Sequence, residues 1–354
     1  MTVPLQPSLS DDASRQAWRA MHAELQVQRL MAPAKARTAA ELLLLAACLA
    51  AALRWAWHAD GAWALVAACL ALSLLLARFA FLGHDAGHGA RIRSARLDRL
   101  IGQLSMTLVT GLAFDEWMAR HRAHHRFCQD ESRDPDMAVD LMVSLTAGSL
   151  AAKGPVGRWL TRWQFVHVWA LSLLFAHSQR HQSQWGVLRR LRKYPLDAAL
   201  LLLHLGLWFG LPCLLLGVSF GHALLVYLLP LCLLGPHLAA IFWVNHIGMP
   251  QVRRPEDFSF VEHQVLTSRS IIIPPRWRWL WGGLNLQVEH HLFPSVAASR
   301  LPAVQAIVQR HLAALPLSYH AVSWPQALRA VAAHLRGVAW QARSSPYLRV
   351  TRSP

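Results

Sequence analysis

Four long apolar runs restrict what this chain can fold into. They cover roughly Ala39–Trp57, Gly61–Gly83, Leu196–Val218 and His222–Val244. Each approaches the ~20 residues a helix needs to cross a bilayer. Hydrophobic residues make up 54% of the 354-residue chain and charged ones only 15%, a balance that argues against ordinary soluble domains. The 16 Trp and 12 Phe suit a protein with two bilayer–water interfaces to populate. The expected fold class is all-α integral membrane, with four transmembrane helices, interfacial helices and a histidine-rich cap.

Charge sets the orientation. The connections His58-Ala59-Asp60 and Ser219-Phe220-Gly221 carry no Lys or Arg, so each reads as the outer turn of a helical hairpin. The segments between and after the hairpins are Arg-rich and are expected on the cytoplasmic side, in a bacterial inner membrane. The net charge is +16, and only three of the 35 basic residues are Lys. Because the Arg residues lie between apolar runs, they suit an anionic membrane surface or an acidic redox partner, and no nucleic-acid partner is expected. Leu97–Ala113 and Thr161–Ser178 are apolar but interrupted by polar residues, and both are read as interfacial rather than spanning.

Three domains follow from this organisation: a polar cytoplasmic arm over 1–38, a membrane domain over 39–300 and a mostly helical cytoplasmic tail over 301–354. The arm has five Lys/Arg and no short apolar stretch with a small-residue cleavage site, so no cleavable signal is expected. The five Cys are scattered without a CxxC pair, which supports neither a thiolate metal site nor a disulfide framework.

Histidine carries the chemistry. Of 20 His, seven fall in three clusters: His84-Asp85-Ala86-Gly87-His88, His121-Arg122-Ala123-His124-His125 and Gln287-Val288-Glu289-His290-His291. His246 follows Asn245 at the end of the fourth run. Residues three and four apart share one helix face, so His84 pairs with His88, and His121 with His124 and His125. With four spans, all eight imidazoles lie on one side of the membrane. A single HxxxH pair arises by accident on exposed helices; three clusters on one membrane face do not. Imidazole suits iron, zinc, copper or nickel, and eight are too many for one ion and about right for two. No HExxH motif offers the general base of a zinc hydrolase. The remaining histidines, including His167, His204, His222, His237, His263 and His334, show no cluster geometry and are expected to be structural.

The one HxxxH-type and two HxxHH-type boxes resemble those of the membrane fatty-acid desaturase family. The Gln that opens the third box, and Asn245-His246-Ile247-Gly248-Met249, are similar to front-end and acyl-lipid members. The resemblance covers roughly Leu74 to Pro294. It implies an oxidoreductase in which two iron ions, with O2 as co-substrate, insert a C=C bond into the acyl chain of a membrane lipid or acyl thioester. By position it makes His84, His88, His121, His124, His125, His246, His290 and His291 the ligands. Gln287, where other members have His, becomes a direct ligand, a water-mediated one or the mark of an open position. Asn245 becomes a direct or water-mediated ligand, and Asp85, Asp134, Asp136 and Glu289 groups that orient imidazole N–H bonds. The His-Pro-Gly-Gly haem motif of members with a fused cytochrome b5 domain is absent, so a separate ferredoxin or cytochrome is expected as electron donor. A hydroxylase or ketolase built on the same irons is the alternative, and a non-catalytic metal-binding membrane protein a more distant one.

Overall fold

In hydrocarbon a single chain segment can satisfy its own backbone hydrogen bonds only as a helix, so apolar runs of this length fold as spans. A computed structural model describes residues 6–137 and 142–344, which are predominantly helical. Helix α1 (Asp11–Val27) precedes a first hairpin of α2 (Lys35–Trp57) and α3 (Ala62–Gly87). Next come α4 (Ala95–Gly102), prolonged by wider π-type turns over Gln103–Thr110, and α5 (Phe114–Phe127). After α6 (Gln164–Leu171) and α7 (Phe175–Arg189), a second hairpin is formed by α8 (Pro195–Leu205) and α9 (Phe220–His246). Helix α8 also continues in π-type turns, over Gly206–Leu215. The chain then forms α10 (Phe260–Thr267), α11 (Gln287–Leu292), α12 (Leu301–Leu312) and α13 (Trp324–Ser344). Shorter turns join them, and two three-residue strands pair in parallel, Ser270–Ile272 with Ala321–Ser323.

Among the described residues, four helices are long and apolar enough to cross a membrane: α2, α3, extended α8 and α9. The protein is an all-α membrane protein, and the Leu97–Ala113 and Thr161–Ser178 segments supply none of these four helices. Helices α3 and α9 form the central pair, packed on each other, with α2 and α8 outside them. Leu43, Leu202 and Leu214 stand exposed on the outer helices, which is the face a lipid solvent covers. Gly61 starts α3 with a φ of +87°, a backbone shape that a residue with a Cβ rarely adopts.

Two cores result. One fills the hairpins, with Leu72, Leu76, Val226, Leu234 and Val244 among its members. The other lies outside the spans and joins Met21 and Leu25 of α1 to Val261 and Val265 of α10, Val288 of α11 and Val304 of α12. The amino-terminal helix is therefore packed against the segments that carry the third histidine cluster. Glu262 secures it: its carboxylate accepts the Ser8 N–H at 2.6 Å and the Ser8 hydroxyl at 2.7 Å.

Candidate metal centre

His84 lies in the last turn of α3 and His246 ends α9, so the two central helices deliver imidazoles to one membrane surface. Helix α5 crosses beneath them carrying His121, His124 and His125. Its start is held by Asp197 of α8, whose carboxylate accepts the N–H groups of Asp115 at 3.1 Å and Glu116 at 3.2 Å. A carboxylate at that end satisfies free donors and complements the helix dipole. Helix α11 adds His290 and His291, both buried.

All eight predicted imidazoles come together. The metal-binding nitrogens of His84, His88, His121 and His290 lie within 4.8 Å of one another. Those of His124, His246 and His291 form a second group of the same size, joined by the Cys128 sulfur. His125 sits on the seam: its Nε2 is 3.1 Å from His121 Nε2 and 3.1 Å from His290 Nε2, and its ring stacks on His291 at 4.2 Å.

The arrangement fits metal binding. His121 Nε2 faces His84 Nε2 at 3.1 Å, His88 Nε2 at 2.9 Å and His125 Nε2 at 3.1 Å. One ring nitrogen carries at most one proton, so these contacts cannot all be hydrogen bonds. Nitrogens each ~2.1 Å from one ion and at right angles around it stand about 3 Å apart, which is the spacing seen. His291 Nε2 is buried with no hydrogen-bond partner, an orphan that a cation would satisfy.

Three of the far nitrogens are tied down. His291 Nδ1 donates to Gln264 Oε1 at 2.8 Å, His246 Nδ1 to the Thr267 carbonyl at 3.0 Å, and His124 Nδ1 to Asp134 Oδ1 at 3.0 Å. Each bond fixes the tautomer and turns Nε2 towards the cluster. Trp117 stacks on His121 at 4.6 Å and steadies that ring. Burial, then the neighbouring imidazoles, holds His121, His125, His290 and His291 well below the usual histidine range, and His88 likewise. His124 goes the other way: burial opposes its charge, but Asp136 and Asp134 outweigh it and raise the pKa to about 9.

The other predicted residues divide. Gln287 Nε2 lies 3.0 Å from His246 Nε2, and its Oε1 accepts from Asn245 Nδ2 at 3.0 Å, so both amides border the second group. Asp136 is 3.4 Å from His124 Nδ1. Asp85 Oδ1 is 3.8 Å from His84 Nδ1, beyond hydrogen-bond reach, and its other oxygen accepts the Ala298 N–H at 3.1 Å. Glu289 is fully buried and accepts from Ser270 Oγ at 2.8 Å and from the Tyr319 hydroxyl; no hydrogen bond ties it to an imidazole among the described residues.

Sequence reasoning missed Gln264, the Thr267 carbonyl and Cys128. The Cys128 Sγ lies 3.4 Å from His246 Nδ1, and burial followed by Asp134 raises its pKa well above the ordinary thiol value. Nothing in the spacing of these residues signals their place. Four histidines outside the clusters instead bind backbone oxygens: His222 donates to Ala56, His237 to Leu280, His263 to Cys128 and His334 to Leu145, at 2.7–2.9 Å.

Fold and site together define a class: a four-span membrane protein with a buried imidazole cluster of metal-binding geometry at one membrane surface. Residues 61–323 match the family model described as Fatty acid desaturase, and the chain belongs to that family. It is 28% identical over 285 residues to the Delta(8)-fatty-acid desaturase of Borago officinalis, covering 77% of this chain and 64% of that protein. It is 25% identical over 297 residues to the Acyl-lipid (9-3)-desaturase of the same plant, covering 79% of this chain and again 64% of the relative. Identity to the sn-1 linoleoyl-lipid 6-desaturase of Synechocystis sp. is 29% over 264 residues, covering 68% of this chain and 71% of the other. The chain thus spans less than two thirds of the length of the two borage relatives.

Proposed function

We propose that this chain is an O2-dependent fatty-acyl desaturase with two iron ions in its imidazole cluster. His84, His88, His121 and His290 would hold one ion and His124, His246 and His291 the other. His125 stands on the seam within reach of either, and Gln287 with Asn245 completes the second group directly or through water. Iron, when bound, supplies the oxidising chemistry by which O2, two electrons and two protons turn two neighbouring methylenes into a C=C bond and two waters.

The chain's own part is positioning and shielding. Gln264, the Thr267 carbonyl and Asp134 aim three Nε2 atoms inward by holding the opposite nitrogens. Burial keeps His88, His121, His125, His290 and His291 unprotonated, as ligands must be. It also excludes bulk water from the reacting carbons. The Arg-rich segments support a cytoplasmic position for the centre under the positive-inside rule. There a separate ferredoxin or cytochrome would deliver electrons, and the acyl chain would arrive on a lipid or a thioester.

The observation that carries this reading is the meeting of eight imidazoles, from four separate stretches of a desaturase-family chain, with His121 Nε2 about 3 Å from the Nε2 atoms of His84, His88 and His125. Metal analysis of the purified protein and lipid profiling of a heterologous host test it. Two irons per chain, and a new unsaturated species that disappears with His124→Ala, are expected. An oxygenated lipid in place of an alkene would move the protein to the hydroxylases or ketolases, and zinc with no product would overturn the proposal.

A further inference from the structure

A cavity of about 280 Å³ opens where α2, α3 and the segment before α11 meet, roomy against the ~30 Å³ that one water occupies in the liquid. Its charged lining is four arginines, Arg37, Arg78, Arg91 and Arg278, against two carboxylates, Glu41 and Asp85. The carboxylates are already engaged. Glu41 accepts from Arg78 at 2.6 Å and from Arg91, and Asp85 accepts the Ala298 N–H and stands 3.9 Å from Arg91. Arg37 and Arg278 are exposed and have no ion pair among the described residues. Arg91 is only 4% exposed, yet its Nε has no hydrogen-bond partner.

A guanidinium N–H buried without an acceptor is costly, and four cations facing two spent carboxylates leave a positive field unbalanced. The missing acceptor is an anion with several oxygens. Position narrows its source. Arg78 precedes His84 by six residues, about 9 Å along the helix, so the cavity lies at the same membrane surface as the metal centre. Two of its wall residues, Asp85 and Leu286, are chain neighbours of His84 and Gln287. Trp279, also in the wall, suits the headgroup level.

We propose that this cavity binds the phosphate of the acyl carrier, a proposal that deepens the desaturase reading and rests on it for the word substrate. Arg37 and Arg278 make the charge-assisted contacts, and Arg91 Nε contributes the buried donor. Arg78 and Glu41 hold Arg91 in place. A phosphate seated here is anchored beside the metal centre, which favours carbons near the carboxyl end of the chain. Lipid phosphodiesters and the phosphates of coenzyme A share this chemistry, and competition separates them.

The test is equilibrium binding to the full chain in uncharged detergent micelles. Radiolabelled phosphatidic acid is compared with a galactosyl diacylglycerol of the same acyl chains. The wild type is expected to prefer the phosphate lipid about tenfold at low salt, the size of one or two charge-assisted hydrogen bonds. R37Q/R278Q is expected to lose that preference, and R37K/R278K, which keeps the charge, to retain most of it. Displacement by free coenzyme A assigns the pocket to a thioester donor, and displacement by short-chain phosphatidic acid alone assigns it to a lipid headgroup. Equal binding of both lipids to the wild type, or a preference that survives in R37Q/R278Q, overturns the proposal. Binding needs no turnover, so this result stands apart from product analysis, on which the desaturase reading succeeds or fails.

Discussion

His124 Nδ1 lies 3.0 Å from Asp134 Oδ1, and the two are buried together at the edge of the second imidazole group. Asp134 also accepts the Gln129 N–H at 2.8 Å and the Asp136 N–H at 2.9 Å, so the loop after α5 is wound around this carboxylate. With Nδ1 committed to Asp134, only Nε2 of His124 is free to meet a metal. The carboxylate both aims the ring and raises its basicity.

Asp134→Asn is therefore expected to weaken metal binding about 10- to 100-fold, the usual consequence of losing such a partner. Metal titration of the chelated protein, followed by counting bound ions per chain, reads the effect. Unchanged affinity would mean that His124 takes its orientation from elsewhere.

Gln264 supports the same group from the opposite side. Its Oε1 accepts from His291 Nδ1 at 2.8 Å and its Nε2 donates to the His125 carbonyl at 3.1 Å. Gln264→Leu keeps the apolar bulk but leaves His291 without a partner, so bound metal should fall from two ions per chain towards one. A variant that still holds two would show that His291 needs no such tether.

Protonation gives the metal-free protein a stability maximum with two different flanks. His88, His121, His125, His290 and His291 are held below their ordinary value near 6.5, so the unfolded chain binds more protons than the folded one in mild acid. Stability should fall as pH drops below about 6.5. His124, with a folded pKa of about 9, contributes stability that is complete below its unfolded value and fades as pH rises towards 9. Thermal unfolding of the chelated protein in detergent between pH 5 and pH 10 checks both flanks. The alkaline one should shrink and move to lower pH in Asp134→Asn, whose His124 keeps only the part of its raised basicity that Asp136 supplies. A flat alkaline flank in the wild type would contradict the assignment to His124.

Close packing inside the membrane rests on a missing side chain. A Cβ on Gly235 of α9 would stand 2.1 Å from the Ser172 carbonyl oxygen, a backbone atom that cannot swing aside. Gly235→Ala should lower stability by about 1–3 kcal/mol, the range for an extra methyl in a packed interior, read as a drop in Tm. Gly206→Ala, where nothing lies within 4 Å of the added carbon, is the matched control.

The sequence by itself determined the membrane class and the ligand type. Apolar runs about as long as a bilayer is thick can do little in water, and the two hairpins follow from turns without Lys or Arg. Imidazoles three and four apart share a helix face whatever surrounds the helix, so His84 with His88, and His121 with His124 and His125, were legible from local geometry. Tertiary structure alone decided the rest. His125 and His290 meet across 165 positions of chain, which no helical period encodes. Gln264 and the Thr267 carbonyl became imidazole anchors only because α10 packs beneath α11. Asp197 caps α5 from the span α8, while Glu289 turns to Ser270 and Tyr319 rather than to a ring. Residue type and spacing state what a side chain can do; its partners depend on the packing of distant segments, and the cavity around Arg91 exists only once α2, α3 and the segment before α11 are brought together.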